Sequence, residues 1–323
     1  MRAIIRKELA DHFSSTRFPL LSALIIMSAL AGAYLAGEGI RVWLGQGLGL
    51  FLEGRLFLLL FSAPGAGLPV YLLIGYLGPL LALLLGFDAV NRERKQGTLA
   101  KILSQPVFRD ELLAGKYLAG LITLAVISAA LFLLITGLGL AVVGLAPGPA
   151  ELARLFLFWL ISVVYLGFWL GLGLLMSVVC RSPAASALAC AALWLFLVFF
   201  LNFLAAGLAG SLKPSGDPLR PSREELLARE TLSRRLSLLS PASLYSEAGA
   251  FLLNPSSRSL NRSLEKLDPA VNHRYTGRFS GPLDLWPSLV LVLPHLAALL
   301  ALSGLVFALC RLFFIGQEIR SGP

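Results

Sequence analysis

The sequence predicts an all-α integral membrane protein with six transmembrane helices, an N-terminal amphipathic interfacial helix, and an external helical or irregular loop between helices 5 and 6. Three observations lead there. The 323 residues are 57% hydrophobic and only 14% charged, against roughly 45–50% and about 25% in soluble domains. The apolar residues gather into six long runs that contain no Asp or Glu. The basic residues stand beside those runs and form no stripe interleaved with aromatics. The +9 net charge therefore reads as membrane topology, and no nucleic-acid partner is expected.

A helix needs about 20 apolar residues to cross the hydrocarbon layer. The runs are Phe18 to Ala36, Leu68 to Phe87, Tyr117 to Ala146, Leu155 to Val179, Ala184 to Gly210 and Trp286 to Phe314. The third is long enough to tilt. Pro294 interrupts the sixth, and Arg311 sits at its end. Between the first two runs, Gly37 to Gly67 is ambiguous. Its Phe57 to Phe61 stretch is too short to span and reads as an external interfacial helix or part of a membrane-embedded hairpin.

Orientation follows from the short loops. Arg2, Arg6, Lys7 and Arg17 precede the first run, and Arg92, Arg94, Lys95, Lys101, Arg109 and Lys116 follow the second. Arg181 lies between the fourth and fifth, and Arg311 and Arg320 close the sixth. On the other side, Arg41 and Arg55 are balanced by Glu38 and Glu53, and Arg154 by Glu151. The bias places both termini in the cytoplasm of a cell whose inner membrane holds the chain. The eleven basic residues of the Ser211 to Leu285 loop count little, because long loops translocate regardless of charge.

The organisation is then residues 1–17, an amphipathic elbow helix; 18–210, the first five spans with a cytoplasmic segment at 88–116; 211–285, an external loop; and 286–323, the sixth span and tail. In the leader, Ile5, Leu9 and Phe13 recur on one helical face, as in a helix lying on the inner membrane surface. Glu8 and Asp11 in the same stretch argue against a signal peptide. In the external loop, Ser222 to Glu225 reads as a capping box, followed by Leu226, Leu232, Leu236 and Leu239. Pro241 opens a second helix with Leu244, Ala248 and Phe251 or Leu252 on one face. Both read as amphipathic helices at the outer interface, and Asn254 to Pro282 reads as irregular. Leu244, Tyr245 and Phe251 are candidate docking residues for an extracytoplasmic accessory protein.

Most catalytic signatures are missing. No Gly-rich phosphate loop ends in Lys-Ser/Thr, no His-Glu-x-x-His occurs, and no Gly-x-Ser-x-Gly elbow occurs. His12, His273 and His295 lie far apart, and Cys180, Cys190 and Cys310 fit no metal spacing. The chain is expected to bind no cofactor or metal and to be no enzyme by itself. No carboxylate pair sits in a span, so energy for transport comes from elsewhere. Asn202 and His295 are the candidate polar groups of a transport path. Gly75/Gly78 and Gly167/Gly171 are spacings that allow close helix contact.

The most informative stretch is "GFDAVNRERKQGTLAKILSQPVFRDELLAGKYLAG", Gly86 to Gly120. A charged segment ends at Gly97-Thr98. Leu99, Ile102 and Leu103 then form a short apolar face before Pro106. Such an element between two spans suits docking into a groove on a partner. Glu93, Gly97-Thr98-Leu99, Leu103-Ser104-Gln105-Pro106-Val107 and Gly115-Lys116 together resemble the permease subunits of type-2 ABC (ABC-2) exporters. "LSPASLYSEAGAFLLNP", Leu239 to Pro255, resembles that family's external helices before the last span.

The resemblance implies a permease subunit that pairs with a second copy of itself and with two ABC ATPase subunits, which would bind the ATP and Mg. Glu93, Arg94, Gly97, Thr98, Leu99, Leu103 and Pro106 are then the ATPase-coupling residues. Among relatives, the Asp88 stretch and the Leu-Asn-Pro ending most resemble permeases serving copper-site assembly of nitrous oxide reductase and those of gliding motility. Two other classes fit the composition: an integral membrane enzyme acting at the outer surface, and a membrane scaffold anchoring an extracytoplasmic partner.

Overall fold

A computed structural model describes residues 1–45, 56–62, 68–99, 104, 108–144, 146–212, 223–254 and 284–316. The described residues are helical or turn, with no strand among them. In chain order the helices are α1 Arg2–Ser14, α2 Arg17–Gly45, α3 Leu56–Ser62, α4 Val70–Gly86, α5 Asn91–Lys95, α6 Arg109–Val143 and α7 Pro149–Val179. Then come α8 Pro183–Leu195, a π-helical turn Phe196–Phe200, α9 Leu201–Leu212, α10 Arg223–Ser237, α11 Pro241–Leu253 and α12 Leu285–Ile315. Among the described residues, six stretches are long and apolar enough to cross a membrane: Arg17–Val42, Val70–Lys95, Arg109–Val142, Pro149–Val179, Pro183–Leu212 and Leu285–Ile315. All six expected spans are there. The protein is a multi-pass membrane protein.

Helix ends follow local sequence rules. Gly144 takes φ 77° and closes α6 by donating its amide to the Leu140 carbonyl at 3.0 Å, a backbone shape that costs glycine little. Pro149 stands at the first turn of α7, and the Glu151 carboxylate reaches back to the Gly148 amide at 2.8 Å. Ser182 caps α8 through the Ala185 amide at 3.2 Å, with Pro183 next. That pairing makes the tight turn between spans 4 and 5.

Span 4, helix α7, is the axis of the bundle. Phe158, Tyr165 and Trp169 on it are fully buried. It packs on α4, α6, α11 and α12. At its closest crossing, Gly86 of α4 meets Gly173. A Cβ on Gly86 would lie 2.8 Å from the Leu170 carbonyl oxygen, and one on Gly173 would lie 3.1 Å from the Gly86 Cα. The spacings singled out from sequence instead meet side chains: Gly75 meets Tyr245, Gly78 meets Leu166, and Gly167 meets Tyr117.

Three expectations change. Pro294 does not interrupt the sixth span, because α12 runs through it unbroken; a spanning helix tolerates the lost donor where neighbouring helices support it. The Phe57–Phe61 stretch is no interfacial helix. Phe57, Leu58, Leu60 and Phe61 are all buried, and α3, about 10 Å long, packs among α2, α4, α6, α7 and α11. Glu151 fastens it by accepting the Phe57 amide at 3.1 Å.

The third change is α11, which is not an amphipathic surface helix. Leu244, Tyr245, Ala248, Phe251, Leu252 and Leu253 are all buried, so its apolar residues cover more than one face. Tyr245 stacks on Tyr165 with ring centroids 4.4 Å apart, and its hydroxyl shares a hydrogen bond with Ser162 at 3.0 Å. Ser240 donates to the Leu197 carbonyl at 2.6 Å, and Asn202 Nδ2 to the Val198 carbonyl at 2.9 Å. These bonds meet carbonyls of the π turn, where the regular ladder of span 5 is broken. Leu239, expected on the face of the preceding helix, is exposed.

Candidate functional site

The site lies at the end of the bundle where α1, α5, the start of α6 and the end of α12 meet, and where the short basic loops gather. Lys116 is its centre. Its ammonium Nζ donates to Glu8 Oε1 and to Glu93 Oε1, each at 2.9 Å. The three side chains are nearly water-free, with 2%, 6% and 7% of their surface exposed. Lys7 closes the cluster from the solvent edge, 3.2 Å from Glu8 and 3.1 Å from Glu93. Two cations thus face two carboxylates, which is the balance that lets charge stay buried.

The members come from three elements: Lys7 and Glu8 are on α1, Glu93 is on α5, and Lys116 lies about two turns into α6. Gly115 explains how α1 comes so close: a Cβ there would lie 2.9 Å from Ile4 Cγ2. In the Gly115-Lys116 pair, the glycine thus makes room for the elbow helix and the lysine ties it down. On the expected apolar face of α1, Ile5 and Leu9 stay part-exposed and Phe13 is exposed.

Electrostatics follow from the packing. Burial alone would raise the Glu8 carboxyl, but Lys116 and Lys7 outweigh it and hold it below its ordinary value. Burial opposes the charge on Lys7, and Glu8 and Glu93 outweigh it and raise its pKa. Burial pushes the His12 imidazole down. His12 lines a cavity of about 410 Å³ with Asp11, Arg17, Asp88 and Arg92 beside the joint.

The segment after span 2 is fastened at its start to α7. The Val90 and Asn91 amides both donate to Ser177 Oγ on α7, at 2.9 and 3.1 Å. Gly97, at φ +68°, turns the chain after α5, and Thr98 Oγ1 returns to the Glu93 carbonyl at 3.2 Å. Leu99 is buried and Arg94 is half-buried. Leu103 and Pro106 lie outside the described residues, as do Ile102 and the Ser222 cap. Beyond the segment, Arg311 Nε meets Asp110 Oδ1 at 3.1 Å and Arg109 donates to the Ile315 carbonyl at 3.1 Å. These join the start of α6 to the end of α12.

The other candidates fall elsewhere. Asn202 ties span 5 to α11, accepting from Ser243 at 2.8 Å. His295 ties span 6 to α11 through Glu247 at 3.1 Å. Leu244, Tyr245 and Phe251 are buried in the bundle. They cannot form an outward docking surface, because the aromatic and aliphatic faces that suggested docking are spent on spans 2, 4 and 6.

The sequence matches the family described as ABC-2 family transporter protein over residues 2–310. The chain belongs to the ABC-2 family of transporters. It is 32% identical over 211 residues to a probable ABC transporter permease protein NosY of Stutzerimonas stutzeri, covering 62% of this chain and 68% of that one. It is 35% identical over 115 residues, 36% of each chain, to a probable ABC transporter permease protein NosY of Pseudomonas aeruginosa. Within this ABC-2 permease, sequence reasoning found Glu93 and Gly115-Lys116 but not their partner Glu8. The signal for Glu8 was an acid four residues from Ile4 in a leader whose other charges are mostly basic.

Proposed function

We propose that this chain is the membrane subunit of an ATP-driven ABC-2 exporter, working as a pair of copies with two ABC ATPase subunits. It sits in the inner membrane with both termini in the cytoplasm. The ATPases bind the ATP and Mg; this chain receives their motion and reshapes a substrate path. The observation that carries the reading is the Lys116 joint. The segment from Glu93 to Leu99 hangs from an ion cluster shared with α1 and α6, so a push on it moves the elbow helix and span 3 together. Exposed apolar residues of span 5, such as Leu188, Phe199 and Phe203, leave a face for lipid or for the second copy. The likeness to NosY proteins makes a NosY-like transport role the first substrate class to try.

Copurification tests the assembly. The tagged chain, expressed with its genomic neighbours, should bring down an ABC ATPase; if it brings down none, the exporter reading fails. Gly97→Pro should abolish ATPase-coupled transport while membrane insertion is retained, because proline cannot take a positive φ. Unchanged transport would remove the coupling role of the segment.

A further inference from the structure

We propose that the cavity between α1, the start of span 1 and the end of span 2 binds the headgroup of an aminophospholipid, with Arg17 and Arg92 on its phosphate and Asp88 and Asp11 on its primary ammonium. The cavity holds about 410 Å³, within the range of about 300–1,000 Å³ usual for small-molecule sites. Its lining divides by chemistry. Phe18, Leu84, Leu85 and Phe87 make an apolar side from the first residues of span 1 and the last of span 2. Arg17, Arg92, Asp88, Asp11 and His12 make a charged side. A soluble phosphate ester has no use for the first half, and a bare hydrocarbon has none for the second. A phospholipid carries both, joined at the depth where a spanning helix gives way to its charged flank.

The charges are available to a ligand. Among the described residues, none pairs with the Arg17 guanidinium. Arg92 Nη1 stands 4.0 Å from Asp88 Oδ2, too far for a hydrogen bond, so each keeps capacity for a second partner. Asp11 is 3.6 Å from Lys7, whereas Glu8, also on the wall, is already bonded to Lys116 and Lys7. Two arginines and two aspartates present both signs, which suits a zwitterion better than a purely anionic headgroup. Burial holds the His12 imidazole below its ordinary value, so at neutral pH it adds no charge against the ammonium. A primary ammonium offers three N–H donors to the carboxylates, and a quaternary one offers none.

The acyl chains have a way out. Phe13 stands edge-on to Phe18, with ring centroids 5.8 Å apart, and is 54% exposed. Leu20 and Leu24 of span 1 are exposed as well. The apolar side of the cavity thus continues onto a surface that faces lipid. The site needs the membrane fold, but neither an ATPase nor a transport cycle.

The test titrates the delipidated full chain in detergent with phosphatidylethanolamine, phosphatidylcholine, phosphatidylglycerol or phosphoethanolamine, and reads bound ligand by native mass spectrometry. Phosphatidylethanolamine should bind about tenfold more tightly than the other two lipids, the worth of one charge-assisted hydrogen bond. Phosphoethanolamine, which lacks the chains, should bind far more weakly. Arg17→Gln changes an exposed side chain and should weaken phosphatidylethanolamine and phosphatidylcholine alike, since both carry the phosphate. Asp88→Asn should weaken phosphatidylethanolamine about tenfold and leave phosphatidylcholine unchanged. Should that variant not fold, Asp11→Asn, at a side chain 42% exposed, should narrow the same preference. Equal binding of the three lipids, or a preference that survives these aspartate substitutions, overturns the proposal. So does phosphoethanolamine binding as tightly as the lipid, which would make the ligand a soluble phosphate ester.

Discussion

At one end of the bundle a lysine sits between two carboxylates; at the other a carboxylate sits between two cations. Lys116 joins Glu8 and Glu93 where α5 and the start of α6 meet α1. Glu247 joins Arg234 and His295 where α10 and α11 meet the last span. Both clusters tie three chain elements together, but they differ in depth and in chemistry. Lys116 is 2% exposed, whereas the Arg234 and Glu247 side chains keep 23% and 20%. The second contains a histidine and the first does not. The Lys116 cluster is thus the more deeply buried of the two.

The difference is open to test. Lys116→Met leaves two carboxylates buried without their central cation and should cost about 3–5 kcal/mol. Thermal unfolding of the purified chain should show the loss, and Glu8→Gln in the same background should recover part of it. Recovery of nothing would mean the carboxylates do not share the lysine. At the Glu247 cluster, Glu247→Gln replaces a charge-assisted contact that water partly reaches, and a loss of about 2 kcal/mol is expected. A larger loss than for Lys116→Met would reverse the ranking of the two ends.

The pH dependence should separate them further. Glu8 is lowered in the fold, so its stabilisation is fully present above the ordinary carboxylate range and vanishes only as pH falls through the lowered value. It adds no slope between pH 6 and 8. His12 is also lowered, so its folded site disfavours the proton and stability rises with pH around its titration range. His12→Gln should remove a rising component of the stability profile. The smallest effect belongs to the exposed Arg311–Asp110 pair: Arg311→Ala should cost less than about 1 kcal/mol, with any larger effect confined to transport.

Much of the Lys116 cluster could be read from sequence because its residues are local. Glu93, Gly97, Thr98 and Lys116 lie within 24 positions, bounded by turn residues and two spans. Glu8 was hidden, since its bond to Lys116 bridges 108 positions and an acid in a basic leader reads as solvated. The helix α11 was found but turned the wrong way. Tyr245, Ala248 and Leu252 form an apolar stripe whether a helix lies on a membrane or packs into a bundle, and only the presence of Tyr165, Ser162 and Phe158 opposite them distinguishes the two. Gly86 and Gly173 escaped notice because they lie on different helices and share no spacing rule.

What the sequence by itself determined is the number of membrane-crossing helices, the placement of the basic loops and the family. Each depends on properties summed along the chain: runs of apolar side chains long enough for the bilayer, charge near their ends, and a short motif between two of them. Tertiary structure alone decided which charges are buried together, that α3 and α11 fill the bundle, and that His295 faces two acceptors. Those depend on distances between residues tens to hundreds of positions apart. In a membrane, where lipid is as apolar as leucine, hydrophobicity says that a helix is buried but leaves packing and hydrogen bonding to say against what.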